Sequence, residues 1–299
     1  MKKIFLLATA TAALMACSNN DEPLNNEPIA ARIIANINGA SSTRAAGTQW
    51  GTGDEIGVTS GSGTSYANVK YATTDGGSNF TGGSIYFPDA ATNVTFTAYY
   101  PFSGTSGTVP GTDGVITNDT KATNQTATNQ PKIDYLWATQ SATGENPNVT
   151  FQFAHKMSKL TLKFVQGNDV TISQVTQYSL SGLVLEGTFN TTNGTAAAKT
   201  EGTTATDLVM NVSNVTSDSE YSLILYPQTI TGGVTLSITC DNLTYNCPLK
   251  VNNSDLSGLA AGSNYTFTIT VSKKGLTITN STISDWTAVS GDAGTAYPG

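Results

Sequence analysis

The sequence predicts an all-β protein, and three observations support this fold class. Short stretches of alternating apolar and polar residues recur from residue 29 to residue 286, which is the period of a strand buried on one face. Clusters of glycine, asparagine, aspartate and threonine separate these stretches and supply turn residues. No segment carries a sustained apolar stripe at helical spacing. Only 12% of the residues are charged, so the surface must consist mainly of residues that are poor helix formers.

The N-terminal segment is typical of a bacterial lipoprotein signal. Lys2 and Lys3 precede the apolar residues 4–14, and small residues lead to Cys17. We therefore expect residues 1–16 to be a cleaved signal peptide and Cys17 to carry the lipid. The apolar stretch is too short to span a bilayer, and no other run reaches about 18 apolar residues. The only expected membrane attachment is the lipid on Cys17.

The first predicted strand covers residues 29–37 and places Ile29, Ala31, Ile33, Ala35 and Ile37 on one face. Residues 104–130 contain little that could be buried, so a long surface loop is predicted there. The other predicted strands span 55–59, 68–72, 94–100, 133–138, 149–154, 160–165, 178–185, 208–212, 221–226, a hairpin within 234–251, 265–271 and 276–278.

The predicted hairpin contains Cys240 and Cys247, and its register decides whether they can form a disulfide. A two-residue turn at Asp241 and Asn242 pairs Cys240 with Leu243 and faces all the apolar side chains inward. The two sulfur atoms cannot meet in that register. A six-residue loop would place the cysteines opposite each other but leave Leu243 outside the strands. The first register, with two buried thiols, is favoured.

The chain is long enough for two domains after the N-terminal tether. Residues 94–101 and 221–227 are both alternating strands that end in Tyr-Pro, which suggests one sandwich of the same general type in each half. The predicted divisions are a signal peptide at 1–16, a lipidated tether with the first strand at 17–44, an N-terminal sandwich at 45–155, and a C-terminal sandwich with its tail at 156–299.

The charged and titratable residues argue against several functions. Without the signal peptide the chain has 12 basic and 21 acidic residues, which is unfavourable for a nucleic-acid partner. His155 is the only histidine, and we expect it to be a hydrogen-bonded residue at a strand end near the domain junction. Asp54, Glu55 and Asp134 are interpreted as isolated carboxylates in turns and at strand ends. No catalytic group, metal site or cofactor is predicted.

Several motifs together resemble the fimbrillins, the type V pilins of Gram-negative oral and gut anaerobes. They are the lipobox at 14–17, TRA at 43–45, WGTGDEIGV at 50–58, FTAYYP at 96–101, FAHKMSKL at 153–160, GTFN at 187–190 and ISDW at 283–286. The resemblance implies two transthyretin-like β-sandwich domains and a structural, non-enzymatic subunit of adhesive fimbriae at the outer membrane surface.

The resemblance also implies a maturation pathway. A trypsin-like or arginine-directed protease cuts the loop after the first strand, and a strand from another fimbrial subunit replaces it by donor-strand exchange. Arg44 lies among small residues and is the expected cut site. The residues expected to form the chain's own donor strand are Leu276, Ile278, Ile283 and Trp286, although a role of this strand in closing its own domain would favour a tip or accessory subunit.

An alternative function follows from the aromatic residues. A permanently anchored surface lipoprotein could bind glycan if Trp50, Trp137, Tyr99 and Tyr100 were exposed and able to stack on sugar rings. Aromatic residues in alternating strands belong more often to the core. Exposed, coplanar rings in the structure would favour glycan binding.

Overall fold

The computed structural model describes residues 28–38, 49–61, 66–200 and 204–286. Cys17 and Arg44 lie outside these residues. Within them the fold is all-β, as predicted, with only short helical segments. None of the helices in these ranges is long and apolar enough to cross a membrane.

The described residues of the first half form eight strands, one 3-10 turn and one short helix. They are β1 (Arg32–Ile37), β2 (Glu55–Ser60), β3 (Val69–Ala72), β4 (Asn79–Phe80), β5 (Val94–Tyr100), β6 (Val115–Asp119), the 3-10 turn η1 (Ala122–Asn124), α1 (Gln130–Ile133), β7 (Leu136–Ala142) and β8 (Asn148–His155).

In the second half, residues 156–200 and 204–286 continue with fourteen strands and a second 3-10 turn. They are β9 (Ser158–Gln166), η2 (Ile172–Gln174), β10 (Val175–Ser181), β11 (Glu186–Asn190), β12 (Thr195–Ala198), β13 (Leu208–Asn211), β14 (Ser219–Leu225), β15 (Gln228–Thr229), β16 (Thr235–Cys240), β17 (Leu243–Pro248), β18 (Lys250–Val251), β19 (Ser254–Asp255), β20 (Gly258–Leu259), β21 (Ser263–Ser272) and β22 (Gly275–Asp285).

The N-terminal half is organised around one seven-stranded sheet in the order β3-β2-β5-β7-β8-β1-β4. A bridge between Ala72 and Thr81 connects the two ends of this sheet. The strands therefore wrap around a single apolar core, which includes Ile33, Phe96 and Phe151. Alternate residues of the strands fill this core, as expected for sheets with one buried face.

The C-terminal half is a sandwich of two four-stranded sheets. Their orders are β13-β10-β16-β17 and β14-β9-β21-β22. Leu180 and Ile238 from the first sheet share one buried cluster with Leu162 and Phe267 from the second. The two large cores agree with the prediction of two tandem sandwich domains, and the exact limits of 45–155 and 156–299 stay a prediction.

A third core joins the two halves and corrects the predicted loop at 104–130. Residues of β6 pair with β11 from the second half, in a small sheet ordered β12-β11-β6. Tyr135 stacks on Phe189 across this junction, with ring centroids 4.5 Å apart. The loop prediction was wrong because β6 is polar in sequence, and its pairing comes from a strand about 70 residues later.

The segment after β6 protects the free edge of β14. The Gln125 side chain donates to the carbonyl of Ile224 and accepts from its N–H, at 2.8 and 2.9 Å. It also donates to the carbonyl of Thr120, and Gln130 donates to the carbonyl of Ser222. These amides replace a neighbouring strand, so the edge of β14 is closed by the other half of the chain.

The hairpin prediction was confirmed in its register and wrong in the burial of two side chains, those of Leu243 and Cys247. Cys240 pairs with Leu243, and Asp241 and Asn242 both have positive φ, as a tight turn between two strands requires. Both cysteines are free, although only Cys240 is fully buried and Cys247 is partly exposed. Leu243 is 54% exposed rather than inward-facing, because β17 is an edge strand next to the turn.

The predicted strand at 133–138 was also partly wrong. Its first residue, Ile133, ends the short helix α1, and the strand β7 starts at Leu136. Pro131 near the start of α1 favours the first turn of a helix, which the alternation in the sequence did not reveal.

Candidate functional site

The candidate site is the position between β8 and β4 that β1 occupies in the N-terminal sheet. On one side β1 pairs in parallel with β8, where Ile33 lies opposite Val149. On the other side it meets β4 and the segment before β5, and the N–H of Ala35 donates to the carbonyl of Ser78 at 2.8 Å. The strand therefore fills a slot with hydrogen-bonding partners on both edges.

The side chains of β1 and of residues 29–31 just before it have the predicted orientation. Ala31, Ile33 and Ala35 are buried in the core, while Ile29 and Ile37 at the two ends are partly buried and pack against it. The residues between them are more exposed on average, as the strand period requires. Large and small apolar side chains thus alternate along the buried face of β1.

Trp50 contacts β1 from the start of the next segment. Its indole N–H donates to the carbonyl of Ala35 at 2.7 Å. The rings of Phe80, Tyr100 and Phe153 surround Trp50 in edge-on contacts, with centroids 5.1 to 5.4 Å away. Three such contacts fix the orientation of the indole, so the N–H is directed at β1 by the body of the domain.

A cleft of about 440 Å³ opens beside this contact. It is bordered by Ala35, Trp50 and Ser78, and by the turn around Gly76. The cleft follows the C-terminal end of β1, which is the end nearest in sequence to Arg44. This end of the strand is therefore both bonded to the domain and accessible from outside.

The predicted donor residues lie on β22 or next to it. The strand β22 is at the edge of its sheet and pairs only with β21. Leu276 and Ile278 pack partly against the C-terminal core, and Ile283 is 50% exposed. Trp286 is buried just beyond the strand. In this structure β22 covers its own domain along one edge.

Trp286, just after the end of β22, contacts a buried polar pair at the domain junction. The Nδ1 atom of His155 lies 2.9 Å from an Oδ1 atom of Asp134, and both side chains are almost fully buried. The His155 ring stacks on Trp286. The expectation for His155 was confirmed, whereas the interpretation of Asp134 as an isolated carboxylate was wrong. Two residues 21 positions apart meet here because β7 and β8 are adjacent strands.

Asp54 was also expected to be isolated, and it instead organises the turn before β2. Its carboxylate accepts hydrogen bonds from the N–H of Gly51 and the hydroxyl of Tyr100. Burial is the largest effect on its carboxyl group and raises its pKa above the ordinary value. Glu55 forms an exposed ion pair with Lys70. In the described part of the chain, no group of histidine, cysteine, aspartate and glutamate side chains could hold a metal ion.

Comparison with known proteins assigns the family. The model of the family described as fimbrillin-like matches residues 43–286. The chain belongs to the fimbrillin-like family. A relative from Bacteroides uniformis, described as a candidate fimbrium subunit, Fim1C, is 31% identical over 97% of both chains. The resemblance seen in the sequence is therefore confirmed, and the family is one of fimbrial structural subunits rather than of enzymes.

Two solved structures extend the likeness to the fold of this fimbrillin-like chain. A candidate cell adhesion protein from Bacteroides ovatus is 32% identical, with a TM-score of 0.73 over 88% of this chain and 99% of that one. Another from Bacteroides uniformis is 28% identical, with a TM-score of 0.67 over 86% and 98% of the two chains.

The aromatic residues considered for glycan binding do not form an exposed platform in this fimbrillin-like chain. Trp50, Tyr99 and Tyr100 are buried. Trp137 is only partly exposed, and the ammonium group of Lys156 lies 5.3 Å from its ring centre. The first three residues therefore contribute to the core, and the geometry that would have favoured glycan stacking is not present among these four side chains.

Two side-chain hydrogen bonds were not predicted from the sequence, that of Trp50 at the candidate site and that of Gln125 at the edge of β14. The sequence shows Trp50 only as part of a motif and as a candidate sugar-stacking residue, and Gln125 only within a predicted loop. Neither contact has a local signal, since Trp50 reaches back 15 residues to β1 and Gln125 reaches 99 residues ahead to β14. The aromatic residues of the FTAYYP motif, which include Tyr100, were the only indication that Trp50 is part of a packed cluster.

Proposed function

We propose that this chain is a fimbrial subunit that is exported as a lipoprotein on Cys17, released by cleavage after Arg44, and assembled by donor-strand exchange. The observation that carries this proposal is the position of β1. The strand β1 is hydrogen-bonded to strands on both sides. Its only covalent connection to the rest of the domain is the segment 39–48. Arg44 is the only basic residue in that connection.

Removal of β1 would expose both polar and apolar groups. Loss of β1 together with the residues just before it would leave the carbonyls of Ser78 and Ile85 without the N–H groups of Ala35 and Ala31, each 2.8 Å away. The N–H of Phe87 would lose its acceptor, the carbonyl of Ile29. The apolar faces of Phe151 and Phe80 would lose the cover of Ile33 and Ala35. A new strand restores both sets of interactions at once, which is the physical basis of strand addition.

This proposal gives the lipid on Cys17 a temporary role. The lipid holds the precursor at the outer membrane while β1 keeps the slot closed. Cleavage after Arg44 separates the lipid and β1 from both domains, and the partner in assembly is a strand of another fimbrial subunit. The maturation enzyme is a trypsin-like or arginine-directed protease.

The test compares processing at two arginines. Protein shed from fimbriated cells is sequenced from its N-terminus and examined for multimers that resist SDS. We expect a mature start at Ala45 and multimers that contain this chain. The Arg44→Ala variant should retain Cys17 and stay monomeric, whereas Arg32→Ala, which alters an exposed residue within β1, should be processed normally. A surface form that always begins at lipidated Cys17 would contradict the proposal.

A further inference from the structure

We infer that Trp50 is a specificity-determining residue that fixes the register of the incoming strand and requires a small side chain at the position of Ala35. This inference rests on the proposed strand exchange. The expected partner is an extended segment of a different fimbrial subunit, and large and small apolar residues alternate along it.

The hydrogen bond from Trp50 marks one position along the strand. The backbone hydrogen bonds between two strands repeat every two residues. They therefore do not distinguish one register from another that is shifted by two residues. The indole of Trp50 contributes a single donor at a fixed point, 2.7 Å from the Ala35 carbonyl. Because Trp50 follows Arg44 in the sequence, it stays in the mature protein when β1 is removed. Its N–H is then left without this acceptor until a carbonyl of the new strand takes its place.

The core around Ala35 leaves little space for a larger side chain. The Ala35 side chain is 0% exposed and lies in the core that includes Trp50 and Phe153. Trp50 cannot turn away easily, because three rings contact it edge-on. A larger side chain at this position would have to displace packed aromatic rings, which is costly in a close-packed core. Ile33, two residues earlier, occupies a site that accepts a large side chain.

The order of side chains on the buried face indicates the source of the strand. Residues 29–37 present Ile29, Ala31, Ile33, Ala35 and Ile37 on this face, so large residues alternate with small ones. No register of β22 gives this order. A bulge at Thr279 places Leu276, Ile278, Ser281 and Ile283 of β22 on one face, where two large residues follow each other without a small one between them. The opposite face carries mainly threonine, asparagine and serine. A second copy of this chain therefore offers a poor match through β22, and a different subunit is the better partner.

The experiment uses the full chain after brief trypsin treatment and measures the uptake of labelled nine-residue peptides by fluorescence anisotropy. The peptide with the sequence of residues 29–37 should enter the nicked protein. The same peptide with Ala35→Leu should bind at least about tenfold more weakly. With Ala30→Leu, at an exposed position, binding should be unchanged. A peptide with the sequence of β22 should also bind at least about tenfold more weakly than the first.

A pair of protein variants isolates the indole N–H. Trp50→Phe keeps an aromatic ring but removes the donor, and it should weaken uptake of the 29–37 peptide about fivefold. Trp137→Phe is the matched control, since Trp137 also donates its N–H to a backbone carbonyl, that of Thr191 at 2.9 Å, but does so away from β1. This control should bind the peptide normally.

The outcomes separate the inference from the proposed function. Equal binding of the Ala35→Leu and unaltered peptides, or of the Trp50→Phe and unaltered proteins, would overturn the register role while strand exchange stands. Tight binding of the β22 peptide would overturn the assignment to a different subunit. If the nicked protein takes up no peptide, strand exchange fails and the inference fails with it.

Discussion

His155 and Trp286 stack face to face at the domain junction, with ring centroids 4.1 Å apart and planes 5° from parallel. Trp286 follows directly after β22, so this contact holds the end of an edge strand against a residue of β8. The stack also covers the buried pair of His155 and Asp134. The closure of the C-terminal edge therefore depends on residues from both halves of the chain.

Replacement of Trp286 should loosen β22. The Trp286→Ala variant removes a large buried side chain, and we expect the free energy of unfolding to fall by about 3 kcal/mol. The amide groups of β22 should also exchange faster with solvent. Urea denaturation and hydrogen exchange measure the two effects. Ile283→Ala is the control, since Ile283 is largely exposed on the same strand; an equal loss in both variants would contradict the role of the stack.

The pair of Asp134 and His155 should respond differently to two substitutions. Asp134→Ala leaves a buried ring nitrogen without its partner and should destabilise the protein by about 2 kcal/mol. Asp134→Asn keeps an oxygen that can accept from a ring N–H, and its loss should be less than half as large. Urea denaturation measures both values. If the two variants lose equal stability, the carboxylate charge rather than the hydrogen bond holds this pair.

The amide of Gln125 should be important for the junction between the halves. Gln125→Met preserves the length of the side chain but leaves the backbone groups of Ile224 and Thr120 without their partners. The expected loss is about 3 kcal/mol by urea denaturation. The control is Gln140→Met, since the exposed side chain of Gln140 donates a hydrogen bond to the carbonyl of its neighbour Ser141. This substitution should change stability by less than about 0.5 kcal/mol. Similar values for the two variants would show that Gln125 does not close the edge of β14.

Alkaline pH should destabilise the fold through buried tyrosines. Burial raises the pKa of Tyr71 and of Tyr99 from the ordinary value of 10.0 to about 12. The folded state therefore holds these protons more tightly than the unfolded state does. This contribution to stability is fully present below about pH 10 and is lost as the pH rises towards 12. The urea midpoint, measured against pH, should fall across this window.

Tyrosine substitution provides the control for that pH dependence. Tyr71→Phe cannot ionise, so the slope of stability against pH between about 10 and 12 should become smaller than in the unaltered protein. The absorbance of tyrosinate, recorded in the native state, should likewise appear late in the titration. An unchanged slope in the variant would remove Tyr71 from the explanation.

The two cysteines of the hairpin should differ in reactivity. Cys240 is fully buried and Cys247 is partly exposed. Maleimide should therefore label Cys247 in the native protein and label Cys240 only after denaturation, as resolved by mass spectrometry of the peptides. Burial raises the pKa of both thiols, which slows labelling of each but does not alter the order. A mass two daltons lower without reductant would contradict the observed register.

Local patterns in the sequence correctly predicted those strands whose buried face follows from their own alternating residues and turns. The strand β5 and the hairpin of β16 and β17 were predicted with the correct orientation or register, because alternation and the Asp241-Asn242 turn suffice to define them. The buried face of β1 was also predicted correctly from alternation alone.

Contacts between distant segments could not be predicted in the same way. The strand β6 is polar, and it becomes part of a sheet only because β11 lies beside it. The hydrogen bonds of Trp50 with Ala35 and of Asp134 with His155 depend on which strands are neighbours in the sheet. The spacing of residues in the sequence does not reveal this. The alternation also overestimated the burial of Leu243, since the pattern does not show that β17 is at the edge of its sheet.

The parallel pairing of β1 with β8 has a consequence for the order of folding. Ile33 and Val149 are opposite each other although they are 116 positions apart in the chain. During synthesis β1 emerges from the ribosome long before β8 exists, and contacts over such long separations form slowly. Within the N-terminal sheet, the strand that is made first therefore waits longest for its second neighbour.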